Sequence, residues 1–291
     1  MLLLNGKSEE VMNLIVNKKY LNNQVCEMDI KAQLIAKKAK AGQFIILRVR
    51  DDGERIPLTI AGYDRKEGLV KIIFQIVGAT TMQLANKNEG DYISDFVGPL
   101  GNASEIEGLS KVCVVGGGVG CAIALPVAKD LNNQGSDVTS IIGFRTKDLV
   151  ILENDFNQVS NKLFLVTDDG SYGEKGNVCL PLENMLKNGE KFDKIFAIGP
   201  LVMMKFVAKL AKEYNIPCIV SMNPIMIDGT GMCGGCRVTV DGKQKFACID
   251  GPDFDGYKVD FDDAINRNRA YLKFENEARE KHCNLFKKEE C

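Results

Sequence analysis

Histidine is almost missing from this chain. The 291 residues include one, His282, set among charged residues near the C-terminus. A single imidazole, read as a solvated surface residue, builds no His metal cage and no Ser–His–Asp triad. It also rules out a Rieske centre, which needs a pair of histidines. If the chain does redox or group-transfer chemistry, cofactors must carry it. A membrane segment is missing too. The longest near-apolar run, Val112–Ala128, is interrupted by glycines and Pro126 and is shorter than the about 20 residues a spanning helix needs. The start, MLLLNGKSEE, has too short an apolar run for a signal sequence and no basic n-region. Net charge is −2 with a pI near 5.7 and no basic patch, so nucleic acid is not an expected partner.

What remains is an ordinary globular composition, 45% apolar and 26% charged. The length suits about two domains and a small module. Ten cysteines are scattered and only three cluster. Without a signal sequence, that usage reads as reduced thiols in a cytosol.

The clustered cysteines organise residues 222–256, MNPIMIDGTGMCGGCRVTVDGKQKFACIDGPDFDG. Asp228, Cys233, Cys236 and Cys248 give the spacing D-x4-C-x2-C-x11-C. A plant-type 2Fe–2S site reads C-x4-C-x2-C with a distant fourth cysteine. The match is complete except that Asp228 takes the first ligand position. Gly229, Gly231, Gly234 and Gly235 surround the pair, as a loop needs if it is to adopt positive φ and turn N–H groups toward sulfur. Two other readings compete. A zinc site would want four Cys or His ligands, and no second C-x2-C or H-x3-5-H exists. A redox disulfide normally opens a helix, whereas this pair precedes a short strand, Arg237–Val240, and an Asp241-Gly242 turn. Asp228 could instead only shape its turn, with Cys218 ligating.

Along the chain, residues 1–11 read as an extension. Strand-like runs Val25–Ile30, Gln43–Val49, Leu58–Ala61 and Leu69–Val77 are separated by turn signals, which predicts a small antiparallel barrel over 12–107. Met82–Asn86 reads as a short helix. From Lys111 the pattern changes. KVCVV is a buried parallel strand, and helices and strands then alternate to CIVS. That predicts a doubly wound parallel sheet over 108–220. Residues 221–260 form the small cluster module. The polar tail, 261–291, reads as an arm ordered against a partner subunit or the cluster module.

In VCVVGGGVGCAIA, Gly116, Gly117, Gly118 and Gly120 lie between a strand and a helix. Missing side chains let the backbone approach a pyrophosphate at the helix N-terminus. The string is not a strict G-x-G-x-x-G, so a tight turn without ligand is the competing reading. Asp168 and Asp169 end a later strand in LFLVTDDGS, on the ligand side of such a sheet. A carboxylate there accepts from a ribose 2′-OH and repels a 2′-phosphate, which favours NAD over NADP. For Asp169 a plain turn role is an equal alternative.

The N-terminal part gives weaker hints: GERIPLTIAGYD on a strand, and IIFQIVGATT ending in a Gly-Thr loop suited to phosphate, with Gly78, Thr80 and Thr81. Taken in order with GPLG, GGGVG and AIGP, these segments resemble the ferredoxin–NADP reductase superfamily, whose members place an FAD barrel before a nicotinamide domain. With the cluster segment added, residues 12–260 resemble the electron-transfer subunit of dihydroorotate dehydrogenase. They resemble still more closely the small-subunit family of NADH-dependent ferredoxin:NADP oxidoreductase, also called sulfide dehydrogenase. ERIPLTI, VVGGGVG, TDDGSYGEKG, NPIMIDGTGMCGGCRV and FACIDGPDFDG carry that likeness. Asp228 matches the latter family; the dihydroorotate type has Cys there.

The resemblance implies an FAD motif on Ile56, Pro57, Leu58 and Thr59, with Arg55 one place early. It puts a second flavin segment on Ile73, Phe74 and Gln75, and the phosphate loop on Thr80 and Thr81. Its C-G-P becomes Ile198, Gly199 and Pro200, without the cysteine. It implies FAD, a 2Fe–2S cluster and NAD(H), and a larger partner subunit with a second flavin, further clusters and the NADP and ferredoxin sites. The family couples these by flavin-based electron bifurcation. Two alternatives stand beside this expectation: the same module docked on a dihydroorotate dehydrogenase, and a zinc-stabilised nucleotide-binding regulator, which would be colourless.

Overall fold

The computed structural model describes residues 13–286. The extension expected over 1–11 and the His282 side chain lie outside what is described. The first half of the chain folds as strands β1 (Ile15–Asn22), β2 (Val25–Lys31), β3 (Phe44–Arg48), β4 (Arg55–Asp64), β5 (Leu69–Gln75) and β6 (Asp95–Leu100), with helices α1 (Gln33–Lys38) and α2 (Ala79–Ala85). They form one antiparallel sheet in the order β1-β2-β5-β4-β3-β6. Met28, Ile30, Ile60 and Ile72 are fully buried on its inner side, while β1 beyond Ile15 is exposed or half-buried throughout. The far edges approach each other. Leu14 bridges Tyr92, and the Ile15 N–H donates to the Asp91 carbonyl at 2.9 Å. Strands β1 and β6 and helix α1 were not expected. Strand β1 carries Asn17, Lys18 and Lys19 on an edge, where polar residues are tolerated.

The second half alternates β7 (Lys111–Gly117), α3 (Cys121–Asn133), β8 (Asp137–Phe144), α4 (Glu153–Val159), β9 (Lys162–Thr167), β10 (Glu174–Lys175), α5 (Cys179–Lys187), β11 (Lys194–Ile198), α6 (Leu201–Glu213) and β12 (Cys218–Ser221). Val112, Cys113, Val114 and Val115 have no exposed surface, as a central strand covered on both faces requires. Helix α4 starts only at Glu153, because Leu152 turns left-handed at φ 61°. The remaining elements are β13 (Arg237–Val240), β14 (Lys243–Phe246), α7 (Ala247–Asp250), β15 (Asp253–Asp255), α8 (Phe261–Arg269) and α9 (Leu272–Phe286). Strand β15 adds antiparallel to β12, giving the sheet order β10-β9-β8-β7-β11-β12-β15.

One hydrophobic core joins Phe44 and Ile46 of β3 to Met222, Met226, Cys236 and Cys248. The cysteine stretch therefore packs on both sheets. The arm is partly held by its own chain. Helix α8 buries Phe261 and Ala264, pairs Asp262 with Lys205 of α6 at 2.6 Å, and receives the Thr239 hydroxyl of β13 on Asp263 at 3.1 Å. Its N-cap is Asp260, which accepts from the Asp263 N–H. Beyond it, Tyr271, Leu272 and Phe274 are exposed. No helix of the described residues is long and apolar enough to cross a membrane.

Candidate functional site

The strand order reverses direction beside β7, between β8 and β11, and a crevice at the carboxyl ends of the strands is the expected ligand site. A cleft of about 1070 Å³ opens there, lined by Gly117, Gly118, Gly120, Asp168, Gly199 and Pro200, with Gln75 reaching in from the first sheet. The glycines have different tasks. Gly118 sits at φ +55°, and a Cβ there would meet nothing within 4 Å, so its backbone faces open space. A Cβ on Gly120 would lie 2.5 Å from the Ile198 carbonyl oxygen and 2.6 Å from Gly199 Cα, and one on Gly117 would run into the Met203 sulfur. Gly116 lies beneath the loop, where a Cβ would be 2.9 Å from Cys121 Sγ.

Asp168 lines the cleft, whereas Asp169 is not among its walls. The Asp169 carboxylate accepts from the Ser171 N–H at 2.9 Å and hydroxyl at 2.7 Å, bonds that hold it below the usual carboxylate range. Its place is the turn. Arg145 also lines the cleft and was missed in the sequence. The available signal was its position one residue beyond strand β8, at the ligand edge of the sheet.

On the first sheet, residues Arg55, Ile56, Pro57, Leu58 and Thr59 open β4, all half-buried, and pair with β3. Arg55 Nε is buried without a hydrogen-bond partner. Ile73 and Phe74 are buried in the sheet, and of that trio Gln75 faces the cleft. Gly78 caps α2. The Thr81 hydroxyl oxygen accepts from the Val77 and Gly78 N–H groups at 3.1 and 3.0 Å, and the Thr80 hydroxyl donates to Glu54 at 2.9 Å. Both hydroxyls are therefore committed within the protein.

The cysteine loop runs over positive-φ glycines, Gly229, Gly231 and Gly234. Cys236 and Cys248 are buried with their sulfurs 3.1 Å apart, and Cys233 is exposed. Burial and the neighbouring Cys236 push the Cys248 thiol up to about 12. The Gly235 N–H points at Cys233 Sγ, at 3.4 Å. Asp228 accepts from the N–H groups of Thr230 at 2.7 Å and Cys233 at 2.8 Å, which hold its carboxyl low. Among the described residues, no three His, Cys, Asp or Glu side chains are gathered as a finished metal cage. The donors come as a close buried pair with Cys233 and Asp228 on the rim. A Cβ on Gly229 would lie 2.7 Å from Leu100 Cδ1 and 2.9 Å from Ile46 Cγ1, and Ile46 is the cross-strand partner of Pro57. The loop thus rests one strand away from the segment Arg55–Thr59.

Residues 223–260 match the family described as the iron-sulfur cluster binding domain of dihydroorotate dehydrogenase B. The chain is 48% identical over 260 residues to the dihydroorotate dehydrogenase B (NAD(+)) electron transfer subunit homolog of Thermotoga maritima, covering 89% of this chain and 92% of that protein. The chain belongs to this family of electron-transfer subunits. It is 34% identical to the corresponding subunit of Streptococcus pneumoniae, over 74% of this chain and 85% of that one. Among solved structures, a chain of the NADH-dependent reduced ferredoxin-NADP oxidoreductase, described for flavin-based electron bifurcation, shares 43% identity at a TM-score of 0.88, covering 94% of this chain and 99% of that one.

FAD, a 2Fe–2S cluster and NAD(H) are the cofactors of this electron-transfer family, and the residues fit them. The buried Arg55 Nε has no hydrogen-bond partner in the protein, a donor that an anionic group such as a flavin pyrophosphate would satisfy. The open Gly118 backbone suits a dinucleotide pyrophosphate. Free thiols facing each other, with an N–H aimed at a third, suit iron and sulfide.

Proposed function

We propose that the chain is the NAD-linked subunit of a heteromeric flavin and iron–sulfur oxidoreductase. It exchanges a hydride between NAD(H) and FAD and passes single electrons through a 2Fe–2S cluster to a larger flavin- and cluster-bearing partner, as in electron-bifurcating NADH-dependent ferredoxin:NADP oxidoreductase. The observation that carries this reading is convergence. The glycine cleft, β4 and the cysteine loop are consecutive neighbours: Gln75 reaches into the cleft, and Gly229 rests on Ile46, opposite Pro57. When bound, the flavin supplies the exchange between two-electron hydride chemistry and one-electron chemistry.

The chain's own residues bind and orient. Gly117, Gly118 and Gly120 offer backbone to the dinucleotide pyrophosphate, with Gly199 and Pro200 forming the opposite wall. Asp168 accepts from the adenosine ribose and disfavours a 2′-phosphate. Arg55 neutralises the flavin pyrophosphate. Cys233, Cys236 and Cys248 hold the cluster, with Asp228 as fourth ligand. Residues 12–107, 108–220 and 221–260 are then the flavin, NAD and cluster units. As a ligand, Asp228 has lone pairs beyond those that accept the Thr230 and Cys233 N–H groups, and these bonds would orient its carboxylate.

The test uses the chain purified without oxygen. The expected results are a yellow-brown protein with stoichiometric flavin, two irons per chain as a 2Fe–2S site requires, and flavin bleaching by NADH far faster than by NADPH. A colourless protein holding zinc would overturn the reading. Co-purification with a dihydroorotate-oxidising subunit would reassign the partner.

A further inference from the structure

We infer that Asn102, Ser104 and Asp253 are positioning residues that clamp the Cys248-bearing segment to the linker between the two sheets, and so fix the cysteine loop against the flavin strand. The inference rests on the function proposed above.

The linker leaves β6 and enters β7. Its first residues are stitched to a segment about 150 positions later in the chain. The Asn102 N–H donates to the Gly251 carbonyl at 2.7 Å, and the Asn102 side-chain amide donates to the Ile249 carbonyl at 2.9 Å. The Ser104 hydroxyl donates to Asp253 Oδ2 at 2.6 Å. Ser104 is itself tied to the first sheet's side, its N–H donating to the Ala41 carbonyl at 3.0 Å. Gly101, at φ +72°, brings the linker against Pro252, and a Cβ there would lie 3.0 Å from Pro252 Cδ. These are not bonds of a regular sheet. Apart from the Ser104–Ala41 bond, each joins the first sheet's exit to residues that follow Cys248.

Asp253 is the unusual member. It lies on edge strand β15 opposite Ser221 of β12. One carboxyl oxygen meets Ser104, and the other is buried with no partner. Beside it stand the hydroxyls of Ser104, which is hydrogen-bonded to it, and Ser221, which is not, and the charges of Glu105 and Lys194 act on it. Burial pushes its carboxyl above the usual range, against the opposing pull of the two hydroxyls. A half-satisfied buried carboxyl is costly. Best attested among the uses of such a group is fixing one register over others. Here the register fixed is that of the segment entering β15 and, through it, Cys248.

The other end of the loop is fixed independently, where Gly229 meets Leu100 and Ile46. Both anchors lie on the first sheet or its exit. Metal binding alone would require neither, since all three cysteines lie in one stretch. Holding the loop one strand from Pro57 is what electron transfer needs, because tunnelling falls steeply with distance. In the step served, a bound flavin would supply the two electrons of a hydride from NADH one at a time, and a cluster held by Cys233, Cys236 and Cys248 would carry each in turn to the partner subunit before taking the next.

The experiment compares Asn102→Ala, Asp253→Ala and Asp253→Asn in the cofactor-loaded chain. It reads hydrogen exchange of amides 249–256, iron content, the rate of flavin bleaching by NADH, and the rate of cluster reduction. Asn102→Ala and Asp253→Ala should raise exchange at least fivefold and keep iron. Flavin bleaching should stay within twofold and cluster reduction should slow at least tenfold. Asp253→Asn, which keeps the shape and an oxygen that accepts from Ser104, should restore both exchange and cluster reduction. Cluster reduction at the wild-type rate in a variant with raised exchange would overturn the inference, as would unchanged exchange in both alanine variants. Failure of Asp253→Asn to rescue would overturn the role given to Asp253. Should Asp253→Ala not fold, Asn102→Ala, which removes one side-chain bond, decides. If NADH does not bleach the wild-type flavin, the proposed function fails instead, and the exchange data still judge the clamp.

Discussion

Two methyl groups separate folding from binding in the glycine loop. In Gly118→Ala the new Cβ enters open space, so the cost to folding is the left-handed backbone alone, about 1–2 kcal/mol. Against a typical domain stability of about 5–15 kcal/mol, the protein stays folded, with Tm down by roughly 2–8 °C. The methyl nevertheless stands on the wall of the cleft, where it would meet the dinucleotide under the proposed function. Losing one hydrogen bond to a charged phosphate costs about 1.5–3 kcal/mol, which is roughly 10- to 100-fold in Kd.

Gly120→Ala differs. Its φ of −59° suits alanine, but the Cβ meets the Ile198 carbonyl and Gly199 Cα, both backbone, at 2.5 and 2.6 Å. The loop must shift against β11, with an overpacking cost of about 1–3 kcal/mol or more. Calorimetric titration with NADH beside thermal melts separates the two variants. Gly118→Ala should lose affinity with a small drop in Tm, and Gly120→Ala should lose stability first. Wild-type NADH affinity in a folded Gly118→Ala protein would refute the assignment of this loop to the pyrophosphate.

Other tests follow from the same geometry. Asp168→Asn should narrow the NADH over NADPH ratio of kcat/KM by tenfold or more, while Asp169→Ala should lower Tm and leave the ratio alone; the reverse pattern would swap their roles. Gly229→Val should cut cluster content or slow cluster reduction, because its Cβ meets Leu100 and Ile46 at a φ of +76°; normal iron and normal rates would disprove the close approach. Asp193 accepts from the N–H groups of Ser110 and Lys111, at 2.7 and 2.9 Å, which holds its carboxyl below the ordinary 3.8. A lowered folded value gives stability that is present above the unfolded value and lost as pH falls through the folded one. The wild-type Tm should therefore fall more steeply than that of Asp193→Asn below about pH 4; parallel acid limbs would count against it. Asp228→Cys should keep a 2Fe–2S EPR signal with altered g-values and Asp228→Ala should lose iron; full iron in Asp228→Ala, with loss in Cys218→Ser, would move the ligand.

What could be read from the chain was local chemistry. The D-x4-C-x2-C-x11-C spacing and the glycine run after KVCVV are legible because a metal or a pyrophosphate demands its partners within a few residues. Strand β7 announced itself by being apolar on both faces. Strand β1 did not, because an edge strand with lysines lacks the core-facing signal. Arg145 was invisible because a lone arginine after a strand has no pattern of its own. The turn role of Asp169, an even alternative on sequence, needed the Ser171 bonds to be seen. The hydroxyls of Thr80 and Thr81, suited to phosphate by type, turned out to be committed to Glu54 and to the cap of α2.

The clamp was illegible for a deeper reason. Asn102 and Ile249 are 147 residues apart, and nothing in either segment refers to the other. Their pairing follows only once β15 joins β12 and the shared core draws Cys236 and Cys248 toward Phe44 and Ile46. The cysteine spacing can therefore specify which donors would hold iron but not how far that iron would lie from the flavin. That distance is set by contacts with the first sheet and the linker leaving it: glycine at 229, where any larger residue would push the loop off β3, and a buried carboxyl at 253, where an apolar residue would leave the Ser104 hydroxyl of the linker unpaired. A relative keeping all four donors but losing these contacts should bind its cluster and conduct poorly.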